Sequence, residues 1–298
     1  MDNIVTQMKN IIDCIGNTPL IEIQHLSPKP NVKIYAKLEG NNPGGSVKDR
    51  TALNMIQSAI NRGDITKGTR LIEATSGNTG IALAMMAAIY DLRIELVMPA
   101  NSTRERTLTM EAFGAQVTLL DSIEACRDYA EEKGAQDNYY LMNQFSNPDN
   151  YLAHYKTTGP EIWKDTNEQI THFVSSMGTT GSIMGCSMFL KEKSSSIQII
   201  GCQPTEESSI PGIRRWPQEY MPKIYDPKRV DRIMDVSQAE ATAMSRKLAK
   251  VEGLFVGMSS GGAFASALKL AEEIDSGCIV FIACDRGDRY LSSDLFGN

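Results

Sequence analysis

Lys48 is the residue of this sequence that is best placed for chemistry. It follows an alternating apolar pattern over 32–39, which predicts a β-strand, and a turn of Asn, Pro and Gly over 41–45. A helical pattern comes next, so we expect the strand and turn to be followed by a helix that begins at this lysine. Ligands of open α/β sheets bind at the carboxyl ends of strands. The alternative is a solvated lysine in the first turn of a helix, and Asp49 and Arg50 are interpreted as ordinary helix-start charges.

A second candidate binding element is the run Gly178-Thr179-Thr180-Gly181-Ser182, which lies between a predicted strand and a predicted helix. A Gly/Thr loop that opens a helix offers free backbone N–H groups, hydroxyl donors and the positive end of the helix dipole, which suits a phosphate. The run is neither a G-x-G-x-x-G fingerprint nor a P-loop, and Gly40 to Lys48 imitates only the spacing of a P-loop. The alternative for such a loop is an ordinary turn.

Together, these two elements suggest a cofactor. A reactive lysine and a separate phosphate loop, in a sequence without a metal or nicotinamide signature, point to pyridoxal phosphate. That cofactor needs a lysine for its Schiff base, an anion cup for its phosphate and a group that faces its ring nitrogen. The residues alone leave pyridoxal phosphate as one option among several.

Composition argues against several other classes of function. The formal net charge of −6 and the lack of a basic tract disfavour a nucleic-acid surface. The N-terminus lacks a signal-peptide pattern, and the apolar run 81–90 has about half the length that a membrane span needs. The six cysteines form no C-x-x-C pair and the three histidines are isolated. We therefore predict no metal site and no disulfides, but buried free thiols in a reducing cytoplasm. A Ser-His-Asp hydrolase is poorly supported by the three isolated histidines.

The elements that must position the candidate residues alternate along the chain, β then α. This order predicts an α/β fold with mostly parallel sheets and helices on both faces. The irregular segment 203–231 is long enough to be functional or mobile rather than a mere connection. The predicted strands are 18–23, 32–39, 69–74, 93–98, 116–120, 139–142, 172–176, 197–202, 233–236 and 279–284, and the predicted helices are 48–62, 81–88, 102–113, 122–133, 154–166 (interrupted at 159–160), 183–193, 239–251 and 262–274.

Several blocks of the sequence resemble the cysteine synthase family, the O-acetylserine sulfhydrylases, which are fold-type II pyridoxal phosphate enzymes. The resemblance covers nearly the whole length, and its blocks are 15–20, 45–50, 75–80, 157–163, 258–262 and 288–292. It implies two α/β domains with the cofactor between them. A smaller, mobile domain would take residues 41–146, and a larger phosphate-binding domain would combine 1–40 with 147–298. The resemblance also implies a cytoplasmic homodimer.

The resemblance assigns roles to individual residues. Lys48 would form the Schiff base and act as general base, Asn78 would bond the ring hydroxyl, and Ser259 would face the ring nitrogen. The phosphate would be held by Gly178, Thr179, Thr180, Gly181 and Ser182, where Ser182 replaces a threonine common in the family and keeps its hydroxyl. The α-carboxylate of the substrate would be received by Thr75, Ser76, Asn78, Thr79 and Gln144.

The implied activity is a β-replacement that makes L-cysteine from O-acetyl-L-serine and sulfide through an α-aminoacrylate intermediate. Blocks 208–217 and 284–290 resemble the B-type members of the family. Arg214 and Arg215 could then hold thiosulfate, giving S-sulfocysteine, because paired arginines suit a doubly charged oxyanion. Cys284 and Asp285 would lie near the ring-nitrogen side of the pocket. The alternatives are a solvated or salt-bridged arginine pair and a core thiol at Cys284.

Two other functions stay open from the sequence. A related β-replacement or elimination enzyme, such as a cystathionine β-synthase or a serine dehydratase, shares the fold and the lysine. A non-catalytic binding homologue is the second alternative, which the intact Lys48, phosphate loop and Ser259 oppose. The chain ends soon after 295–297, which places a C-terminal pocket cover or dimer contact in doubt. The partners implied are small-molecule substrates, without nucleic acid or membrane.

Overall fold

The computed structural model of this protein describes residues 10–75, 77–100 and 102–297. Within these ranges, strands form two separate sheets. The strands are β1 (Leu20–Glu22), β2 (Val32–Leu38), β3 (Arg70–Ala74), β4 (Arg93–Pro99), β5 (Gln116–Leu120), β6 (Tyr139–Leu141), β7 (His172–Ser176), β8 (Gln198–Pro204), β9 (Arg232–Val236) and β10 (Gly277–Ala283).

The larger sheet has the order β1-β2-β10-β7-β8-β9, and the smaller has the order β5-β4-β3-β6. Only the β1–β2 pair is antiparallel, and every other pair is parallel. The central strand β10 is an almost continuous apolar run that is buried towards its end, as expected for a strand covered on both faces. The predicted fold class, α/β with mostly parallel sheets flanked by helices, is confirmed.

The helices connect these strands. They are α1 (Lys48–Arg62), α2 (Asn78–Ile89), α3 (Arg104–Ala112), α4 (Ile123–Gly134), α5 (Pro148–Lys156), α6 (Thr158–Asp165), α7 (Gly181–Lys193), α8 (Gln238–Lys247) and α9 (Met258–Glu273). Short 3₁₀ turns occur at Ile11–Cys14, Glu39–Asn41, Gln218–Tyr220, Pro227–Arg229 and Gly287–Tyr290, and a π-helical turn, Leu248–Glu252, extends α8. None of the helices in the described ranges has the length and apolar character needed to cross a membrane.

Two helix boundaries differ from the sequence prediction in ways that matter for the site. The break between α5 and α6 falls at Thr157 rather than at the Gly-Pro pair, because Pro160 lies in the first turn of α6, where no N–H is needed. Helix α9 begins at Met258 and not at residue 262. Gly261 serves close packing rather than a turn, since a Cβ there would lie 2.1 Å from the Ala241 carbonyl oxygen of α8.

Helix α1 joins the two sheets. Its apolar face, which includes Ala52, Met55 and Ile56, packs in the core of the smaller sheet with β3, β4 and α2. Its first turn lies instead at the ends of β2 and β10, where Val47 N–H donates to the Cys284 carbonyl at 2.8 Å. The helix ends at Gly63, whose left-handed conformation (φ 81°) suits glycine at this position. The start of α1 is therefore fixed to one sheet and its body to the other.

Candidate active site

Lys48 is the first residue of α1 and lies beside the end of β10. Ser46 pairs with Asp285 in an antiparallel bridge, which fixes the turn before the lysine against the chain that leaves β10. Burial lowers the pKa of Lys48, although the nearby Cys284 and Asp285 act in the opposite direction. No carboxylate of the described residues pairs with its Nζ. Folding thus leaves an amine that loses its proton more readily than a surface lysine.

The interpretation of Asp49 and Arg50 as ordinary helix-start charges is wrong, because both side chains are buried. Asp49 accepts the Gly44 N–H at 2.5 Å, and burial raises its pKa to about 7. Arg50 donates two hydrogen bonds each to Glu39, at 2.7 and 2.9 Å, and to Glu161, at 2.6 and 2.7 Å. These residues anchor the turn and helix that carry Lys48.

The phosphate loop has the form of an anion cup. Thr180 adopts a left-handed conformation (φ 71°) directly before α7, so the loop turns its backbone at the start of a helix. The Thr180 hydroxyl oxygen is buried and has no hydrogen-bond partner among the described residues. A Cβ at Gly178 would lie 2.6 Å from the Gly212 carbonyl oxygen, and one at Gly181 would lie 2.0 Å from Asn150 Oδ1. Only glycines fit at these two places.

Two residues of α5 that the sequence analysis did not single out for the site support this loop. Asn150 Nδ2 donates to the Gln144 carbonyl at 2.7 Å and to Thr179 Oγ1 at 3.2 Å. His154 Nε2 lies 3.2 Å from Ser182 Oγ, and its Nδ1 lies 2.9 Å from a threonine hydroxyl of α6. Burial, followed by the charge of Lys48, lowers the pKa of His154 well below its usual value, so the imidazole is neutral. Neither residue belongs to a recognisable motif, because both act through contacts distant in sequence.

The first turn of α9 closes another side of the site. Ser259 is buried, and its carbonyl accepts a hydrogen bond from Ser176 Oγ at 2.7 Å. Gly212, with φ 91°, lies so close that a Cβ there would be 3.5 Å from Ser259 Oγ. Burial raises the pKa of Cys284 to about 12, against the opposing influence of Lys48 and a hydrogen bond with Ser259. The structure thus brings Ser259, Cys284 and Lys48 together, with Cys284 as a neutral thiol.

The residues predicted to receive a carboxylate come from two segments that meet. Thr79, in the first turn of α2, donates its hydroxyl to Gln144 Oε1 at 2.8 Å. Thr75 is buried at the end of β3, and its hydroxyl oxygen accepts the Gly77 N–H at 3.4 Å. Ser76 lies outside the described residues. The carboxylate site stays a prediction, and its remaining members lie around the start of α2.

Asn78 has protein partners at both ends of its amide. Its Nδ2 donates to Asp285 Oδ2 at 2.7 Å, and its Oδ1 accepts a hydrogen bond from Arg289. Asp285 also accepts the Tyr290 hydroxyl at 2.6 Å, and burial raises its pKa. The second oxygen of Asp285 is buried without a hydrogen-bond partner among the described residues. The contact of Asn78 with a cofactor therefore stays a prediction, and the amide is held at the end of β10.

The arginine pair is divided between two environments. Arg215 donates to the Pro204 carbonyl at 2.9 Å and forms a salt bridge with Asp235 at 2.5 Å. Arg214 is exposed, and its backbone N–H donates to the Met177 carbonyl at 2.9 Å. Trp216, which follows Arg215, donates its indole N–H to the Gly178 carbonyl at 2.7 Å, so this segment packs on the phosphate loop. The alternative of a salt-bridged pair thus describes Arg215 and not Arg214.

The residues present fit pyridoxal phosphate. The cofactor needs an amine with an accessible neutral form, and Lys48 has its pKa lowered by burial. Its phosphate needs hydrogen-bond donors that are not already bonded within the protein. The buried Thr180 hydroxyl has no hydrogen-bond partner among the residues described. The cofactor needs a small polar group at its ring, and Ser259 is buried nearby, in the same cluster as Cys284 and Lys48. Lys48, the loop Gly178–Ser182 and Ser259 are the residues that would hold it.

Comparison with known proteins gives one family. The family model described as pyridoxal-phosphate dependent enzyme matches residues 11–285. Among characterised relatives, the chain is 55% identical over 293 residues to cysteine synthase B of Pseudomonas aeruginosa, covering 97% of this chain and 98% of the relative. It is 53% identical over 293 residues to cysteine synthase B of Escherichia coli, covering 97% of each.

Comparison with solved structures also finds a cysteine synthase. The crystal structure of a cysteine synthase from Entamoeba histolytica superposes on this chain with a TM-score of 0.93 at 36% identity, covering 100% of this chain and 94% of that one. The match extends over both sheets, because it covers the entire chain. Similarity in sequence and similarity in structure therefore agree.

Proposed function

Since the chain belongs to the family of pyridoxal-phosphate-dependent enzymes, we propose that it is a cysteine synthase that makes L-cysteine from O-acetyl-L-serine and sulfide. The observation that carries this function is Lys48, an amine without an ion pair in the described residues, held where α1 meets the end of β10. The relatives named cysteine synthase B, which match almost the whole chain, support the choice of reaction.

Bound pyridoxal phosphate supplies an electron sink that stabilises negative charge at the α-carbon of an amino acid. Lys48 Nζ would hold the cofactor covalently until the substrate amine replaces it, and the freed amine would then lie beside the α-carbon. Because burial lowers its pKa, this amine has more of its neutral form at physiological pH than an exposed lysine. Lys48 can therefore take the α-proton as general base and later return a proton to the product.

Ser259 sets the character of the site at the cofactor ring. A serine hydroxyl can hydrogen-bond the ring nitrogen but, unlike an aspartate, it does not keep that nitrogen protonated. Ser259 would thereby leave the bound cofactor a weaker electron sink than an aspartate would, which would favour prompt loss of the acetate group over transamination. The buried position of Ser259, in the first turn of α9, gives this hydroxyl a defined place.

The substrate carboxylate would bind between α2 and the turn after β6. Thr79 and Gln144 are already joined by a hydrogen bond of 2.8 Å, and Thr75 lies at the end of the neighbouring strand. Helix α2 contributes Asn78 and the backbone N–H groups of its first turn, which attract an anion. We propose that residues 41–146, which contain the smaller sheet, close over the bound substrate as a mobile domain.

Thiosulfate is proposed as a second sulfur donor, with Arg214 as its contact. Arg214 is exposed on the segment that packs on the phosphate loop, whereas the guanidinium of Arg215 is engaged with Pro204 and Asp235. An exposed guanidinium can form charge-assisted hydrogen bonds with a doubly charged oxyanion. The proposal also includes a homodimer in the cytoplasm. The six cysteines are free, as is usual for a protein in a reducing compartment.

The test of this function uses the purified protein with pyridoxal phosphate. We expect a visible cofactor band that changes on adding O-acetyl-L-serine, and L-cysteine as product when sulfide follows. O-phosphoserine and serine serve as alternative first substrates, to discriminate a related elimination or β-replacement enzyme. A protein that binds the cofactor but gives no spectral change with any of the three would contradict the function.

The sulfur donor is tested with the matched variants Arg214→Ala and Arg215→Ala. We expect Arg214→Ala to lower kcat/KM for thiosulfate by roughly 10- to 150-fold, as one charge-assisted contact is worth roughly 1.5–3 kcal/mol. The kcat/KM for sulfide should stay within about twofold of the wild-type value. Arg215→Ala should affect both donors equally, because its guanidinium bonds the protein itself. Equal losses for both donors in Arg214→Ala would remove Arg214 from the donor site.

A further inference from the structure

Three buried polar side chains form a row behind the proposed carboxylate site. Glu73 of β3 accepts a hydrogen bond from Gln144 Nε2 at 3.0 Å, and Gln144 Oε1 accepts one from Thr79 Oγ1 at 2.8 Å. Their exposed fractions are 2%, 4% and 5%. Glu73 Oε2 is also buried and has no hydrogen-bond partner among the described residues. Glu73 belongs to none of the motifs in the sequence, and the reaction proposed above does not use it.

The hydrogen bonds of this row determine what Gln144 can offer a ligand. An ionised carboxylate only accepts hydrogen bonds, so Glu73 must receive the amide NH₂ of Gln144. The amide oxygen is then directed to Thr79, whose hydroxyl proton is used in that bond. One N–H of Gln144 remains for a ligand. If the amide were turned over, its oxygen would replace its NH₂ and would repel an anion.

We propose that Glu73 is a positioning residue, which holds the Gln144 amide so that its remaining N–H serves the α-carboxylate of the amino-acid substrate. The inference rests on the proposed function, because that function places a carboxylate beside Gln144. Glu73 itself touches no substrate and acts through Gln144. A buried carboxylate is costly unless it is satisfied, and the side-chain hydrogen bond that Glu73 receives comes from Gln144.

The protonation state of Glu73 is expected to change this orientation. Burial raises its pKa to about 7, against hydrogen bonds from the Gln144 side chain and the backbone amides of Asn143 and Gln144, and against the charge of Arg127 on α4. The neutral acid can donate to Gln144 Oε1, which allows the amide to turn over. The favourable orientation is therefore present above a pH of about 7 and is lost as the pH falls.

The experiment compares Glu73→Gln with Glu95→Gln in the holoenzyme. Glu95, on the adjacent strand β4, is also 2% exposed and accepts hydrogen bonds from Thr118, Tyr129 and Tyr139, none of which belongs to the proposed site. A glutamine at 73 can donate or accept, so it allows both orientations of Gln144. We expect KM for O-acetyl-L-serine to rise about tenfold in Glu73→Gln, with kcat within about threefold, and KM to stay within about twofold in Glu95→Gln.

Two further measurements distinguish positioning from a structural role. Between pH 8 and pH 6, KM should rise more steeply in the wild type and in Glu95→Gln than in Glu73→Gln. Binding of L-alanine, which has the α-carboxylate but no leaving group, should weaken about tenfold by calorimetry in Glu73→Gln only. In a Gln144→Ala background, Glu73→Gln should add no further change in KM, because the effect passes through Gln144.

The outcomes separate the two proposals. If the wild type makes cysteine but Glu73→Gln matches Glu95→Gln in KM, pH profile and L-alanine affinity, Glu73 has no positioning role. If the wild type neither makes cysteine nor binds L-alanine, the proposed function fails and the carboxylate site with it. Should Glu73→Gln not fold, Glu73→Met removes the acceptor from a side chain of similar length, and an unchanged KM in that variant overturns the inference.

Discussion

Lys37 and Lys48 are two lysines near each other in sequence whose surroundings differ. Lys37 is completely buried, and its Nζ contacts Glu161 at 2.9 Å, Asp165 at 3.0 Å and the Thr18 carbonyl at 2.7 Å. Lys48 is partly buried and has no such ion pair among the described residues, and burial lowers its pKa. The first ammonium is fully compensated, and the second is not.

The difference shows how one fold uses buried cations for two purposes. Lys37 and Arg50 share Glu161 and tie β2, α1 and α6 into one network, which gives the start of α1 a rigid support. A partner of this kind at Lys48 would keep its ammonium protonated and would remove its value as a base. The paired network therefore stabilises the position of a lysine that has no ion pair within the described part of the chain.

The largest expected effect follows from removing the unpaired lysine. We expect Lys48→Met to lower kcat by about 10³-fold or more, because both the attachment of the cofactor and the general base are lost. The free energy of unfolding of the cofactor-free protein should change by less than about 1 kcal/mol, since no ion pair is broken. Steady-state kinetics and urea unfolding measure the two, with exposed Lys250→Met as control. Retained turnover would contradict the role of Lys48.

Removing the paired lysine should have the opposite pattern. Lys37→Met leaves Glu161 and Asp165 with one cation fewer, and breaking a buried pair costs about 4 kcal/mol. We expect this loss in urea unfolding of the cofactor-free protein, together with a kcat that stays within about tenfold in the folded enzyme. If Lys37→Met were instead as stable as the wild type and inactive, the division of roles between the two lysines would be wrong.

A smaller, pH-dependent effect should come from Glu161. Burial acts to raise its pKa, but the hydrogen bonds and charges of Arg50 and Lys37 outweigh this and hold it at about 2, against an ordinary value of 4.5. Since the folded protein binds this proton less readily than the unfolded chain, Glu161 stabilises the fold above pH 4.5, and this stabilisation is lost as the pH falls through about 2. The shift corresponds to roughly 3 kcal/mol.

Urea unfolding of Glu161→Gln between pH 7 and pH 2.5 checks this effect. The variant should have a lower free energy of unfolding than the wild type, and this difference should be largest at pH 7. The difference should shrink below pH 4.5, where the wild type loses the same contribution. Glu219→Gln, on an exposed turn, is the control and should follow the wild type throughout. A deficit that stays constant with pH would show that Glu161 acts by packing rather than by charge.

Much of the fold could be predicted because its signals are local. The helical pattern of α1 predicted both of its ends, 48 and 62, and the alternation of strands and helices predicted the α/β class. The start of α9 was predicted at residue 262, four residues after the observed start at Met258. Gly261 in fact allows close packing on α8. A sequence shows that a residue is small, but not which neighbour requires it.

The sequence by itself determined the candidate lysine, the phosphate loop and the family, because these depend on residue types in contiguous blocks. The tertiary structure decided which charges are buried and with which partners. Arg50 meets Glu161 across 111 residues, and Glu73 meets Gln144 across 71. Burial and such pairings set the pKa values of Glu73 and Glu161, and burial lowers that of Lys48, so these values are properties of three-dimensional neighbours. That Lys48 has no ion pair among the described residues is likewise decided only when the chain folds.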